Sequence, residues 1–447
     1  MKNKNKILSI LLVLVLLFVS ACDFNDNSSS PSDKPSYNLS TPGASSGEDN
    51  TDEIKELTYT DITLLTSGDI MYHNTQLKSS KNSDGTYDFT DNFKYMKDIV
   101  SSADLAVVNY ETTTANQNNY TAYPVFNSPL ESLAVTKDTG YDLLLFANNH
   151  CYDYKKDGFL ATLNQFENYG FEYIGGKKTA DAKSYMVKDV KGVKLGLMNY
   201  TDTITPPTSN YYTINGNAIS DGCEELMDIY VRGQYDKLYS EVSERIDEMK
   251  KQGADIIIMF IHWGDEYLLD PISSQTEIAQ KLCDLGVDVI IGGHPHVIEP
   301  MQILTSKTNP EHTTLCFYSL GNFISNQNRL SFQDLNQSVR PYTENGLTVT
   351  LTIRKYNTGD VYVKSIDYTP TWVHRYSKGD GKYNYNVVPL NLALNNPSEY
   401  GLYNSDFGMS HAEAAFKMTN DVFSVPVTDY NTNMANEIAV FSASFDK

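Results

Sequence analysis

Cysteine is scarce in this 447-residue chain: there are five, and once Cys22 is set aside, Cys151, Cys223, Cys283 and Cys316 show no paired spacing. That excludes a disulfide framework as the source of stability. Basic clusters are missing as well, with 35 Lys and Arg against 56 Asp and Glu and a formal net charge of −21. With no patch to neutralise phosphates, a nucleic-acid partner is excluded. The amino-terminal apolar run, Ile7 to Val19, is too short to span a bilayer comfortably. Between Asp23 and Glu56 large apolar residues almost vanish while Ser, Asp, Asn, Pro and Gly accumulate. Such a stretch cannot bury enough surface to fold, and residues 23–56 read as an acidic, self-repelling tether. The remainder is long enough for one large core with an addition.

Residues 1–22 have the layout of an export signal: a Lys-rich head, the apolar run, then the small residues Ser20-Ala21-Cys22. Val19-Ser20-Ala21-Cys22 resembles a bacterial lipobox. The resemblance implies that Cys22 bears lipid and that the mature protein is an extracytoplasmic lipoprotein anchored in the cell membrane. Cleavage of an ordinary secretory signal near Ala21 is the alternative.

Within the folded part, several apolar strand-like runs end abruptly in polar clusters. Val287 to Ile291 closes on Gly292-Gly293-His294-Pro295-His296, and Pro295 predicts that both histidines are extended and project to one side. His-x-His alone reads equally as a turn or as a metal edge; at the carboxyl end of a buried strand, the metal reading gains. Leu64-Leu65 leads to Gly68-Asp69. Asp104 to Val108 delivers Asn109 and Glu111 on one side of the strand end. Asp142 to Ala147 delivers Asn149 and His150, with Asp153 beyond, and Asp255 to Ile261 delivers His262 and Glu266. Asp153 and Glu266, a turn past their motif residues, read as supporting groups or helix caps rather than ligands. His73 reads as a surface or capping histidine, and Cys151 as packing. Helical patterns between the runs give an α/β fold, with antiparallel strands around Lys191-Gly192 and a hairpin at Asn357 to Asp360. A Ser274-Gln275-Thr276-Glu277 capping box is expected to start one helix. Pro206 to Gly222 reads as a long loop, and beyond Thr371 only His411 to Met418 looks helical. Carboxylate, amide and imidazole together suit Mn, Fe or Zn, as one ion or as two sharing a carboxylate.

The pieces "GDIM", "NYE", "ANNHCYDYKKDG", "HWGDEY", "GGHPHV" and "YSLGNF", in this order, resemble the bacterial poly-γ-glutamate capsule-synthesis (CapA-type) family, related to calcineurin-like metallophosphoesterases. The resemblance implies a four-layer αββα sandwich with mixed sheets over residues 57–371, followed by an extension over 372–447. It implies Asp69 and His296 at one metal, Asn149, His262 and His294 at another, Glu111 between them, and His150 as the proton donor to a leaving oxygen. Where phosphoesterases have Asp-x-His, this chain has Asp69-Ile70-Met71, which leaves the first metal short of a ligand unless His73 or a water substitutes.

Two functions follow. One is a metal-dependent, phosphoesterase-like hydrolase at the cell surface, acting on a phosphoester or on an amide of an anionic wall or capsule polymer during its synthesis or export. The other is a non-catalytic polymer-binding or scaffold component of a capsule export complex. The expected partners are the anionic surface polymer, the membrane through the lipid anchor, and membrane proteins of capsule synthesis or export.

Overall fold

Strand parity decides which layer each side chain of β1 (Tyr59–Ile70) enters: Ile62 and Leu64 face one way, Leu65 the other. The computed structural model describes residues 56–115, 119–205, 211–220, 222–330 and 335–445. The expected leader, Cys22 and nearly all of the tether lie outside them, as does part of the Pro206–Gly222 loop.

The first sheet runs β17 (Lys382–Pro389), β16 (Val361–Gly379), β15 (Asn345–Tyr356), β1, β2 (Leu105–Tyr110), β3 (Leu143–Leu145) and β4 (Glu172–Ile174), with β14 (Asn322–Ile324) beside the end of β1. From β1 to β4 the strands are parallel, whereas β15 to β17 are antiparallel. The second sheet runs β12 (Ile298–Thr305), β13 (Thr313–Leu320), β11 (Val289–Gly293), β10 (Ile256–His262), β6 (Val193–Thr203) and β5 (Met186–Val190), with β9 (Ile229–Val231) beside β6. A small hairpin, β7 (Thr213–Ile214) and β8 (Asn217–Ala218), forms a separate two-stranded sheet joined through Thr213 to Ile204, just past β6.

Three apolar layers separate four layers of structure. Leu65, Ala106, Val108 and Leu144 pack against α1 (Asn74–Ser80), α2 (Thr90–Phe93), α3 (Lys97–Ser101), α4 (Leu130–Thr139) and α5 (Lys155–Asn168) on the outer face of the first sheet. Met198, Ile257, Met259 and Ile290 pack against α6 (Asp236–Lys251) and α7 (Ser273–Leu285) outside the second. Leu64, Leu105, Val107, Leu143, Ile258, Phe260, Val289 and Ile291 fill the space between the sheets. The result is the expected αββα sandwich with mixed sheets.

The expected division at residue 371 falls inside β16, which continues to Gly379. After β17 and α8 (Leu390–Ala393), the chain forms α9 (Gly408–Ala443), far longer than the expected helical stretch of His411 to Met418 and with Pro426 inside it. Tertiary contacts outweigh the weak propensity of its Thr, Asn and Pro residues. Phe423, Val427, Tyr430 and Met434 enter the layer between the sheets, and Asn431 exchanges two hydrogen bonds with the Ile366 backbone, both 2.8 Å. The helix α7 likewise starts earlier than expected: Ile272 occupies its N-cap, and Gln275 Oε1 accepts from the Ile272 N–H at 2.8 Å, two residues before the expected capping box.

Candidate metal centre

On β2, Leu105 and Val107 face the layer between the sheets, so the same parity carries Asn109 and Glu111 to its carboxyl end. On β10, Ile256, Ile258 and Phe260 do the same for His262. On β11 the matching position is Gly293, where a Cβ would sit 2.9 Å from Asp69 Oδ1 and 3.6 Å from His262 Nδ1. A side chain there would fill the space the other groups share. Gly68 is fixed for a similar reason: a Cβ would meet the Gly321 carbonyl oxygen at 1.9 Å, and the next residue, Asp69, donates its N–H to that oxygen at 3.0 Å.

The histidines of β11's end are not extended as expected: His294 has φ 99° and His296 φ 56°. The strand stops at Gly293 and the antiparallel β12 begins at Ile298, so the intervening residues must reverse the chain. Positive φ at a non-glycine residue is costly, and here it aims both rings inward.

Together these residues form two seats. His262 Nε2 lies 2.9 Å from Asn149 Oδ1, 3.1 Å from His294 Nδ1 and 3.5 Å from Glu111 Oε1. A single ring nitrogen cannot hydrogen-bond all three, whereas one cation could take all four as ligands. His296 Nε2 lies 3.7 Å from Glu111 Oε1, and its Nδ1 lies 3.4 Å from Asp69 Oδ2. Among the described residues, the trios Glu111, His262, His294 and Asp69, Glu111, His296 could each hold a metal ion.

Electrostatics point the same way. Glu111 is fully buried, and neither of its carboxylate oxygens has a hydrogen-bond partner. A buried carboxylate without hydrogen bonds is expensive, and a cation shared with the neighbouring histidines would complete it. Burial lowers the proton affinity of His296, yet the Glu111 charge and the Asp69 hydrogen bond and charge raise its pKa to about 9. Asp69 is held below the usual carboxylate range: burial works against this, but His296 and His262 prevail. The donor set therefore fits a divalent transition ion of the Mn, Fe or Zn kind.

Beside the seats, His150 Nδ1 bonds Asp153 Oδ2 at 2.7 Å, and the same oxygen accepts the Phe126 N–H at 2.7 Å. Asn109 Nδ2 donates to Asp69 Oδ1 at 2.7 Å. Glu266, by contrast, is exposed and reaches His296 through its charge. His73 turns its Nε2 to Ser325 Oγ, 3.1 Å away, and burial with the nearby His296 and His150 lowers its pKa to about 3. Met71 is buried in the helix-side layer. Neither residue completes the Asp69 seat. Cys151 packs with its Sγ 3.8 Å from Met227 Sδ.

Sequence reasoning missed Asn148, which donates to Asn109 Oδ1 and to the Tyr110 carbonyl, each at 3.0 Å. It also missed Arg232, whose guanidinium ties Asp202, Asp265 and the Gly264 carbonyl together behind His262. Asn148 stands in the "ANNHCYDYKKDG" piece, where no role is assigned to it, and Arg232 stands in none of the motifs.

A four-layer αββα sandwich thus gathers imidazoles and carboxylates at the strand ends of its inner layer. The chain belongs to the bacterial capsule synthesis protein PGA_cap family, which matches residues 63–327. It is 30% identical over 290 residues to PGA biosynthesis protein CapA of Bacillus subtilis (strain 168), covering 63% of this chain and 68% of that protein. It is 27% identical over 272 residues to Capsule biosynthesis protein CapA of Bacillus anthracis, covering 60% of each. A crystal structure of a hypothetical protein from Thermus thermophilus aligns with 69% of this chain and 98% of its own, at 13% identity and a TM-score of 0.38.

Proposed function

We propose that this protein acts at the cell envelope in the synthesis or export of an anionic capsule polymer, as a metal-dependent hydrolase of the phosphoester type. The family and the names of its relatives support the process. Glu111, buried with both oxygens unpartnered between three histidines, carries the metal part of the reading. Asn149, His262, His294 and Glu111 would hold one ion, and Asp69, His296 and Glu111 a second, weaker one. When bound, such an ion supplies Lewis-acid polarisation and a hydroxide-like nucleophile at neutral pH.

The chain's own groups do the rest. Asp153 engages His150 Nδ1, which leaves Nε2 to hand a proton to a departing oxygen. Asn109, which donates to Asp69 Oδ1, holds that carboxylate in place. Lipid on Cys22 would keep the domain at the membrane. The short-handed Asp69 seat favours a second reading, in which the pocket binds polymer without cleaving it. Metal analysis of purified protein, together with turnover of p-nitrophenyl phosphate, separates the two: bound metal with turnover that chelation removes supports the hydrolase. Bound metal without turnover leaves the binding role, and protein that takes up no metal refutes both forms.

A further inference from the structure

The loop after β6 carries the Ile214-Asn215-Gly216-Asn217 hairpin, with Ile214 paired to Asn217 across a two-residue turn. Asn215 and Gly216 both have left-handed φ, 46° and 69°, the geometry that selects Asn-Gly in such turns. Turn chemistry alone would explain the two residues, but it does not explain where the Asn215 side chain goes. Its amide nitrogen donates to Asp153 Oδ1 at 3.0 Å and to the Pro124 carbonyl at 3.0 Å, and it lies 3.1 Å from His150 Nδ1. All the acceptors here are oxygens, so the opposite amide orientation would set oxygen against oxygen. His150 Nδ1 and Asn215 Nδ2 are thus two donors converging on one carboxylate. With the Phe126 N–H on Oδ2, both oxygens of Asp153 are held.

We infer that Asn215 is a positioning residue: it fixes Asp153, and through it the ring of His150, relative to the metal seats. The inference rests on the hydrolase reading for its consequence in catalysis, though not for the hydrogen bond itself. The hairpin is anchored for this task. Ile214 and Ile219 are buried in the same apolar layer as Phe126, and Lys155 Nζ donates to Asn217 Oδ1 at 2.6 Å. The partners of the Asn215 amide are Asp153, Pro124 and His150, none of them a residue of either seat. Its effect on turnover therefore falls on kcat rather than on KM.

The test uses two substitutions that keep the turn, Asn215→Gly and Asn215→Asp, since Gly and Asp both suit the left-handed position. In zinc-loaded, ¹⁵N-histidine-labelled protein, the ring Nδ1–H of His150, identified by its loss in His150→Gln, should be visible because Asp153 shelters it from exchange. Both variants should lose this signal or exchange it faster while retaining zinc. On p-nitrophenyl phosphate, kcat should fall about 10- to 100-fold with KM little changed, the scale of supporting hydrogen bonds around metal centres. Absence of the sheltered proton in the wild type, or its unchanged survival in both variants, overturns the inference. A lost proton signal in protein that never cleaves the ester keeps the positioning role and removes the hydrolase reading instead.

Discussion

His262 Nε2 and Glu111 Oε1 lie 3.5 Å apart, although His262 ends a strand of the second sheet and Glu111 follows a strand of the first. A cation shared by the pair would join the two sheets at their carboxyl edge. His262→Ala should therefore remove most of the bound metal, because it dismantles the seat with the full donor set. Asp69→Ala should remove only the weaker ion. Elemental analysis of purified variants decides it, and equal metal content in wild type and His262→Ala would leave the metal reading without support.

The His150–Asp153 pair separates chemistry from binding. His150→Ala should lower kcat on a phosphoester by about 10²- to 10⁴-fold, the usual worth of a positioned proton donor, with metal content unchanged. Asp153→Asn keeps the shape and should cost less, about 10- to 100-fold. Metal loss in either variant would show that the pair holds ligands rather than protons.

Glu299 gives a pH prediction outside the centre. It is fully buried, with Oε2 accepting from Gln275 Nε2 at 2.7 Å, and burial lifts its pKa from 4.5 to about 8, helped by the Asp270 and Asp265 charges. The folded state thus holds a proton that the unfolded chain releases near its ordinary value. That contribution is complete below about pH 4.5 and is lost as pH rises through about 8, at no more than about 1.4 kcal/mol per pH unit. Glu299→Gln should flatten the decline, and urea midpoints at pH 5.5 and 7.5 measure it. Identical slopes in the two proteins would contradict the assignment.

Phe423 tests whether α9 belongs to the core. Phe423→Ala should lower the unfolding free energy by about 3–5 kcal/mol, read from urea denaturation, and a chain stopped before Gly408 should fail to fold. A soluble, metal-binding truncation would show that the sandwich closes without the helix.

Cys22→Ala should move the protein from the membrane pellet to the soluble fraction, since an anchor of two or more acyl chains holds stably and its loss leaves none. Retention in the pellet would place the anchor elsewhere.

The strand ends were legible in the sequence because parity along a buried strand is a strict rule: once Leu105 and Val107 face inward, Asn109 and Glu111 follow. The reversal at His294 and His296 was not, because Pro295 argues for extended neighbours and only the antiparallel return of β12 demands otherwise. The long α9 was hidden by Pro426 and by its many Thr and Asn residues, whose helical state depends on the sheets beneath. Asn215-Gly216 carried a hairpin signal that a loop reading passed over, although nothing in the dipeptide says which way the amide points.

Asp69 is seated by a carbonyl at Gly321, and its strand β1 takes its antiparallel neighbour from β15, with Tyr59 opposite Tyr356. The centre is thus closed by residues made long after its first ligand. During vectorial synthesis, the amino-terminal residues of the proposed seats must wait, without their full frame, until the chain as far as Tyr356 has emerged. A fragment ending just before β15 carries every proposed ligand and still lacks the frame that makes them a site, so ion capture reports completion of the chain.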